Sequence, residues 1–405
     1  MSNWQRLLRQ GGKVGRALVA ALATVFLADA CQRPTAGPPI PAAWFGAYVL
    51  PTQSGYVVPT QSVTSTAPVA GPAAVAHGAF VGDAPDRKTI RRRIADFEGL
   101  VGKKLGIVHL FIPVAAGFPQ AACDEIRAGG AMPLISIAFA GDKSLDPILD
   151  GTNDAAFRTF VTDAAAWGSP ILLRWGWEMN GGHAWSGLRN GGADGGPARY
   201  VTAWKRLRAL AGGLPNLTWV WCPDAWGLGP DEVWNDPGFY YPGSDQVDWL
   251  GVDGYGWRVS SDNLPLAIFN GVRLAGNLLS RFQQTGKPII IAETAADRTD
   301  EQGAAWTASL WQDLARVKNL KAICWFNRDQ DGSYWALEAD KPVTASYRSG
   351  VAGPHIWAPP GNPPAFHPPA PAASPAPYVP PVFMSVWRRG TIWLPSGPRQ
   401  TSPHW

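Results

Sequence analysis

Two glutamates, Glu178 and Glu293, follow short apolar segments of the sequence. Glu293 comes directly after the run 288–292, and Glu178 stands four residues beyond the run 170–174, which ends in Arg174. A carboxylate in such a place loses solvation, so it needs a charged partner or a chemical role. Two carboxylates in an aromatic-lined cleft can carry out glycoside hydrolysis, in which one protonates the leaving oxygen and the other attacks the anomeric carbon.

Eight short apolar runs in the middle of the chain predict the strands that would position this chemistry. They are rich in Ile, Val, Leu and Trp and nearly continuous, as strands buried on both faces of a parallel sheet must be. The runs are residues 75–81, 106–113, 132–139, 170–174, 217–222, 247–252, 288–292 and 320–326.

Helix-like stretches separate several of these runs, at residues 86–100, 153–167, 197–211, 264–284 and 301–316. Eight β/α repeats in about 270 residues predict an α/β fold, a (β/α)8 TIM barrel that forms a single catalytic domain. A doubly wound sheet is the competing fold. It would require a glycine-rich phosphate loop after the first strand, and the segment Gly82-Asp83-Ala84-Pro85 is not one.

Both glutamates stand where a TIM barrel places its chemistry, at the C-terminal ends of strands. Either glutamate alone has a second interpretation, a buried structural carboxylate paired with Arg174. That interpretation is weaker for the pair, since both would have to end strands of one barrel by coincidence. Several loop-end aromatic residues are candidates for sugar-binding subsites or, equally, for packing in the core or loops: Trp175, Trp177, Trp185, Trp226 and Trp257.

The segment Arg-x-x-x-Glu-Met-Asn-Gly at residues 174–181, with Trp185 downstream, resembles glycoside hydrolase family 26. That family belongs to a clan of retaining (β/α)8 glycosidases and consists mainly of endo-β-mannanases, with some β-1,3-xylanases and mixed-linkage β-glucanases. The resemblance covers roughly residues 76–345. It implies that Glu178 is the acid/base and Glu293 the nucleophile, with the carboxyl groups about 5–5.5 Å apart.

The resemblance also implies supporting and substrate-binding roles for other residues. Arg174 would orient a carboxylate, and Asn180 would help to hold the acid loop. Tyr255 would hydrogen-bond the nucleophile and the sugar, and Trp325 would form the apolar floor under the reacting sugar. The remaining members of the expected substrate-binding set are Trp177, His183, Trp185 and Trp257.

Two positions depart from the pattern of the family. Trp177 stands where the family usually has His before the acid, and His183 stands where an aromatic residue is common. The missing His removes a polar contact near the reacting sugar. Either His183 replaces part of that contact or it is an ordinary loop residue. Mannan is therefore a substrate implied by the family, not by the pocket residues.

Composition separates the middle of the chain from its ends. The 405 residues carry a formal charge of +4, yet residues 76–353 hold 27 of the 35 basic and 30 of the 31 acidic residues, a net charge of −3. A nucleic-acid-binding domain concentrates Lys and Arg on its folded face. The distribution therefore predicts no nucleic-acid partner, and a neutral polysaccharide suits it better.

The first 30 residues predict an export signal. A basic stretch precedes the apolar run 17–27, which has the length of a signal-peptide core and is short for a membrane span. Cys31 follows the small residues Ala28 and Ala30 in a segment that resembles a lipoprotein box. Attachment to a membrane through a lipidated Cys31 and ordinary cleavage before it both remain open. The expected location is secreted or in the cell envelope, as a periplasmic protein or outer-membrane lipoprotein.

The predicted organisation is a signal peptide at 1–30, a Pro/Gly/Ser/Thr-rich linker at 31–75, the glycoside hydrolase barrel at 76–353 and a proline-rich tail at 354–405. The composition predicts disorder for both flanking segments. The three other cysteines form no CxxC pair, so neither a disulfide framework nor a metal site is predicted. No cofactor is expected, because a two-carboxylate mechanism needs only water.

Together these features predict an exported retaining endo-β-glycanase whose first candidate substrate is β-1,4-mannan. A β-1,3-1,4-glucanase or a β-1,3-xylanase of the same family is the nearest alternative. The alternative of a different class is a non-catalytic carbohydrate-binding barrel of the cell envelope. The presence of both glutamates favours an enzyme, because a binding protein has no need of that pair.

Overall fold

The protein forms a closed barrel of eight parallel strands in the computed structural model. The model describes residues 74–82, 89–139, 145–225, 229, 232–256, 265–270, 278–330 and 332–359. The predicted signal peptide, Cys31, the predicted linker up to residue 73 and the tail from residue 360 onward lie outside the described residues.

The strands of the barrel pair in the order of the sequence, each parallel to the next, and β1 pairs with both β8 and β2, which closes the sheet. The prediction of a (β/α)8 TIM barrel is confirmed, and each predicted run overlaps a strand whose two ends lie within two residues of the ends of the run. The strands are β1 (Val75–Phe80), β2 (Ile107–Pro113), β3 (Met132–Ala138), β4 (Ile171–Trp175), β5 (Leu217–Trp221), β6 (Trp249–Asp253), β7 (Ile289–Thr294) and β8 (Leu320–Phe326).

Helices surround the barrel, and six of the described helices begin or continue within stretches that the sequence predicted. The helices are α1 (Ile90–Val101), α2 (Gln120–Ala128), α3 (Asp146–Leu149), α4 (Asp154–Trp167), α5 (Gly196–Ala211), α6 (Pro265–Asn270), α7 (Leu278–Gln284), α8 (Gly303–Leu314) and α9 (Pro342–Val351). Short 3₁₀ turns lie at Val114–Ala116, Leu188–Asn190, Gly192–Asp194, Val233–Asn235 and Pro237–Tyr240. Among the described residues, every helix is too short or too polar to cross a membrane.

Helix α1 shows how local sequence sets the ends of these helices. The side chain of Thr89 caps its N-terminus by accepting a hydrogen bond of 3.2 Å from the backbone N–H of Arg92. Gly102 ends it with a left-handed φ of 73° and donates its N–H to the carbonyl of Glu98. Such a conformation favours glycine, so the chain turns here toward β2 at little cost.

Alternation along the strands decides which side chains reach the inside of the barrel. Arg174, on β4, lies inside, where it contacts residues of β3, β6 and β7. Its neighbour Trp175 faces the helix layer and stacks on Tyr200 of α5, with ring centroids 5.3 Å apart and planes 11° apart. Trp175 is fully buried. Of its two interpretations, core packing is the correct one.

A ninth strand lies beyond the boundary at residue 353 that the sequence indicated for the barrel. This strand, β9 (Ile356–Trp357), pairs in parallel with the start of β1, and the N–H of Val75 donates to the carbonyl of His355 over 2.9 Å. Ile356 is buried in the core. The folded part therefore extends into the segment assigned to the tail, because two apolar residues there complete the packing at the N-terminal end of the barrel.

Candidate active site

The acid loop begins where β4 ends and returns Glu178 to the mouth of the barrel. Glu178 has a left-handed φ of 50°, which is unusual for a residue other than glycine and costs on the order of 1–3 kcal/mol. Two backbone hydrogen bonds of 2.8 Å fix this turn: the N–H of Glu178 donates to the carbonyl of Cys222, and the N–H of Gly181 donates to that of Glu178. Strained backbone of this kind is concentrated at functional sites.

Asn180 joins the acid loop to the end of β5. Its Nδ2 donates to the carbonyl of Asp224 over 2.8 Å, and its Oδ1 accepts the N–H of the same residue over 2.9 Å. Nδ2 of Asn235 donates to the carbonyl of Asn180 over 2.8 Å. These contacts fit the expected loop-holding role of Asn180, and its side-chain oxygen and nitrogen are both engaged by the protein.

Arg174 lies at the centre of the site and is fully buried. Its Nη1 donates to both carboxylate oxygens of Asp253, at 2.9 and 2.7 Å, and its Nη2 donates to Oε1 of Glu293. Its Nε donates to Oγ of Ser136 over 2.6 Å. One guanidinium therefore fixes two carboxylates that end neighbouring strands, as its planar fork of donors allows.

The nucleophile position is defined by a second donor. The hydroxyl of Tyr255 donates to Oε2 of Glu293 over 2.6 Å, so both oxygens of this carboxylate receive a hydrogen bond. The backbone of Glu293 lies in β7, beside Asp253 of β6, at an irregularity in the strand pairing. Such irregularities re-aim side chains at the ends of strands.

The acid and the nucleophile face each other across a short gap. One carboxylate oxygen from each of Glu178, Glu293 and Asp253 lies within 4.8 Å of the other two. Glu178 and Glu293 are 7% and 5% exposed, so the cleft reaches both. Retaining glycosidases place their two carboxyl groups about 5–5.5 Å apart, whereas inverting enzymes need about 6.5–9.5 Å to admit a water molecule. An oxygen-to-oxygen separation within 4.8 Å fits the shorter of these two spacings.

Among the described residues, these three carboxylates form the one group that could hold a metal ion. The guanidinium of Arg174 already stands among them and neutralises Asp253 and Glu293. A divalent cation would have to displace or repel this buried charge, so the donor set fits an ion poorly.

Burial and charge oppose each other in this cluster. Burial raises the pKa of Glu293 above its ordinary value, the guanidinium of Arg174 holds it down, and the charge of Glu178 raises it further. Burial also raises the pKa of Asp253, again against the effect of Arg174. Burial would lower the pKa of Arg174, but the charges of Asp253 and Glu293 outweigh that effect and raise it. Arg174 is thus the main group that opposes the effect of burial on the pKa of Glu293.

His109 and Ser136 extend the network below Arg174. Burial and the charge of Arg174 hold the pKa of His109 well below its ordinary value, so the ring is neutral. The hydroxyl of Ser136 accepts from Arg174 and lies 2.7 Å from Nε2 of His109, to which it donates. Neither residue was singled out from the sequence. The signal was present, since each is a polar residue within an otherwise apolar strand.

Three rings line the acid side of the cleft. Nε2 of His183 lies 2.8 Å from Oε2 of Glu178. The ring of His183 stacks on Trp185, with centroids 4.7 Å apart and planes 14° apart, and lies 5.5 Å from Trp177. Trp177 in turn packs over the guanidinium of Arg174, whose Cζ lies 5.0 Å from the centroid of the ring. The two positions that depart from the family pattern thus lie side by side.

The expected role of Trp325 as a sugar-stacking floor is wrong. Trp325 is 1% exposed, and its ring packs against Tyr347 of α9 with centroids 4.9 Å apart. Strand alternation explains the error, because Trp325 points to the helix layer while Phe326 points into the barrel. A half-buried aromatic ring, that of Trp335, lies near Glu293. It stacks on Tyr255 with ring centroids 4.5 Å apart and ring planes 25° apart. Trp335 lies in the loop after β8, where strand-end reasoning did not extend.

The other expected site residues divide into those that the structure brings together and those that it does not describe. Glu178, Glu293, Arg174, Tyr255, Trp177, His183 and Trp185 converge on one cleft at the C-terminal ends of the strands. Trp226 and Trp257 lie outside the described residues. Asp253, at the end of β6, shares Arg174 with Glu293.

A closed (β/α)8 barrel with glutamates after β4 and β7 is the arrangement that the resemblance to retaining glycosidases implies. The sequence profile of glycosyl hydrolase family 26 matches residues 158–314 of this chain. This part of the chain is therefore similar to the family that the strand-four motif indicated.

The chain is similar to one curated protein and to several solved structures. Endoglucanase H of Acetivibrio thermocellus is 26% identical over 283 residues, which are 68% of this chain and 30% of that protein, so the chain spans less than a third of its curated relative. The structure of GH26C from Muricauda sp. is similar with a TM-score of 0.55 and 16% identity, over 74% of this chain and 90% of that one. A modular endo-β-1,4-mannanase from Cellulomonas fimi is similar with a TM-score of 0.54 and 16% identity, over 70% of this chain and 72% of that one. At such identities the solved structures bear on the fold alone.

Proposed function

We propose that the protein is an exported retaining endo-β-glycanase that hydrolyses β-1,4-mannan by a double displacement. The observation that carries the proposal is the short separation of Glu178 and Glu293, whose nearest oxygens lie within 4.8 Å across a buried cleft. Glu178 protonates the glycosidic oxygen while Glu293 attacks the anomeric carbon. Glu178 then takes a proton from the water that releases the sugar from Glu293.

The environment of Glu293 supports its role as the nucleophile. Arg174 and Tyr255 donate to its two oxygens, which favours the carboxylate over the acid. Among the described residues, the side chain that contacts the carboxyl group of Glu178 is His183 and not an arginine or a lysine. The two carboxyl groups therefore have the different surroundings that an acid and a nucleophile require.

The substrate rests on the family, in which mannan is the commonest target. A β-glucan is the second candidate, because the curated relative is named endoglucanase H. Release of reducing sugar from β-1,4-mannan, mixed-linkage β-glucan and β-1,3-xylan would separate these candidates. Activity on mannan alone supports the first, and activity on glucan alone replaces it. Glu178→Ala and Glu293→Ala are the controls, and full activity in both would contradict the mechanism.

Export, and attachment to a membrane through a lipidated Cys31, are proposed from the sequence of the first 31 residues. The mass of the mature N-terminal peptide tests both. An acylated Cys31 supports a lipoprotein, an unmodified Cys31 at the mature N-terminus supports plain secretion, and an intact residue 1 in the mature protein contradicts export.

A further inference from the structure

His183 contacts the acid carboxylate rather than an open subsite. Its Nε2 lies 2.8 Å from Oε2 of Glu178. We propose that His183 is a positioning residue that keeps the catalytic proton of Glu178 on Oε1, the oxygen left free for the leaving group. The proposal rests on the function proposed above and adds a residue to its mechanism.

The ring of His183 is held in place by its neighbours. It stacks on Trp185, with planes only 14° apart, and Nε1 of Trp185 donates to the carbonyl of Trp177 over 2.6 Å. That carbonyl belongs to the residue directly before Glu178. The imidazole is therefore fixed relative to the backbone that carries the acid, which makes it a rigid reference for the carboxyl group.

A fixed imidazole would orient the carboxyl group of Glu178. Its backbone is fixed at a φ of 50° by hydrogen bonds at both its N–H and its carbonyl. The remaining freedom lies in the side-chain torsions, of which the terminal one is broad and roughly two-fold. A donor on one carboxylate oxygen removes this two-fold ambiguity. A carboxylic acid would otherwise carry its proton on either oxygen.

The proton balance is simple if His183 is neutral with its proton on Nε2. Nε2–H then donates to Oε2 of Glu178, and the labile proton occupies Oε1. In the first step this proton moves to the glycosidic oxygen as the C–O bond breaks and Glu293 bonds to the anomeric carbon. In the second step a water gives a proton to Oε1 while its oxygen displaces Glu293. His183 keeps its own proton throughout, so it acts only through Glu178.

This role differs from the substrate-binding role expected from the sequence. Nε2 of His183 is engaged by Glu178 and is not free to bind a sugar hydroxyl. Trp177, at the position before the acid, has packed its ring over Arg174 and against Trp185 instead. The polar group near Glu178 is thus the imidazole of His183, five residues after Glu178 along the loop.

The test compares variants that separate the hydrogen bond from the ring. His183→Phe keeps a ring that can stack on Trp185 but removes the donor, and His183→Gln keeps an N–H donor without the ring. The measurement is kcat/KM against pH on the best β-glycan and on the matching 2,4-dinitrophenyl β-glycoside, whose leaving group needs no proton. His183→Leu serves as a second variant without a donor if His183→Phe melts early.

We expect kcat/KM of His183→Phe to fall at least about tenfold more on the polysaccharide than on the aryl glycoside, since acid catalysis contributes about 10²–10⁴-fold only where the leaving group needs a proton. The basic limb of the profile should move to higher pH, because the carboxylate loses a donor that stabilises it. His183→Gln should recover most of both effects.

Equal losses on the two substrates with an unmoved basic limb would overturn the proposal and leave His183 a packing residue. So would a His183→Gln that behaves like His183→Phe. These results differ from a failure of the proposed function itself. In that case the wild-type protein would cleave no β-glycan, or Glu178→Ala would keep full activity.

Discussion

Replacement of Arg174 tests whether a single buried cation keeps the nucleophile ionised. Arg174 is the common partner of Asp253 and Glu293, and it is fully buried. Arg174→Gln removes the positive charge but keeps polar atoms for Ser136. Breaking a buried ion pair by removing one partner costs about 3–5 kcal/mol. We therefore expect the free energy of unfolding at pH 7 to fall by about that amount.

The second expected effect is on the pH dependence of catalysis. An opposite charge within a few ångström lowers the pKa of a carboxyl group by about 1–3 units, and Arg174 exerts this effect on Glu293 against the effect of burial. Without it, the acid limb of kcat/KM, which reports the ionisation of the nucleophile in the free enzyme, should move up by about 1–3 pH units. The assay is hydrolysis of the best β-glycan from pH 4 to pH 9, with chemical denaturation at each pH.

Arg174→Lys is the matched control. It keeps one positive charge, but its ammonium cannot serve Asp253, Ser136 and Glu293 in the planar geometry that the guanidinium uses. Its acid limb should therefore move less than that of Arg174→Gln. An acid limb of Arg174→Gln that coincides with that of the wild type would refute the claim that Arg174 keeps Glu293 ionised.

Three further predictions concern the acid loop, the aromatic floor and the base of the barrel. Asn180→Ala removes the side chain that hydrogen-bonds the N–H and the carbonyl of Asp224. The free energy of unfolding should therefore fall by about 1–3 kcal/mol, and kcat should fall as well. A free energy of unfolding equal to that of the wild type would contradict the loop-holding role. Trp335→Ala removes the ring that stacks on Tyr255. The lost stacking energy is about 0.5–1.5 kcal/mol, and we expect a three- to tenfold loss of kcat/KM. Trp335→Phe should keep most of the wild-type kcat/KM. Burial lowers the pKa of His77 to about 4, so the unfolded chain takes up a proton below pH 6.5 that the folded protein refuses until about pH 4. Stability is therefore complete above pH 6.5 and falls by up to about 3 kcal/mol toward pH 4; this loss should be absent in His77→Gln, and an identical acid slope in that variant would contradict the assignment.

The sequence was sufficient to predict the barrel and to single out the two glutamates that lie together at its mouth. Eight apolar runs predicted the eight strands because parallel strands buried on both faces leave a continuous apolar signature. Glu178 and Glu293 were readable because a carboxylate beside such a run is conspicuous. The position of β9 could not be predicted from the sequence, because two apolar residues in a proline-rich segment show no periodicity.

The directions in which side chains point could not be predicted from the sequence. Trp325 and Phe326 are adjacent aromatic residues at the end of β8, and only the register of the closed sheet decides which of them faces inward. Trp335 reaches Tyr255 from a loop, so its place depends on the tertiary fold. The contact of His183 with Glu178 likewise depends on the left-handed backbone conformation of Glu178, which no local sequence pattern predicted.

The most direct test of the two-glutamate mechanism is to trap the covalent intermediate. A 2-deoxy-2-fluoro β-glycoside of the preferred sugar, with a dinitrophenyl leaving group, slows both steps and allows the glycosyl-enzyme to accumulate. We expect mass spectrometry of the digested protein to place one added sugar on Glu293, and the product of the native reaction to keep the β configuration. Inverted product, or a label on any residue other than Glu293, would contradict the double displacement.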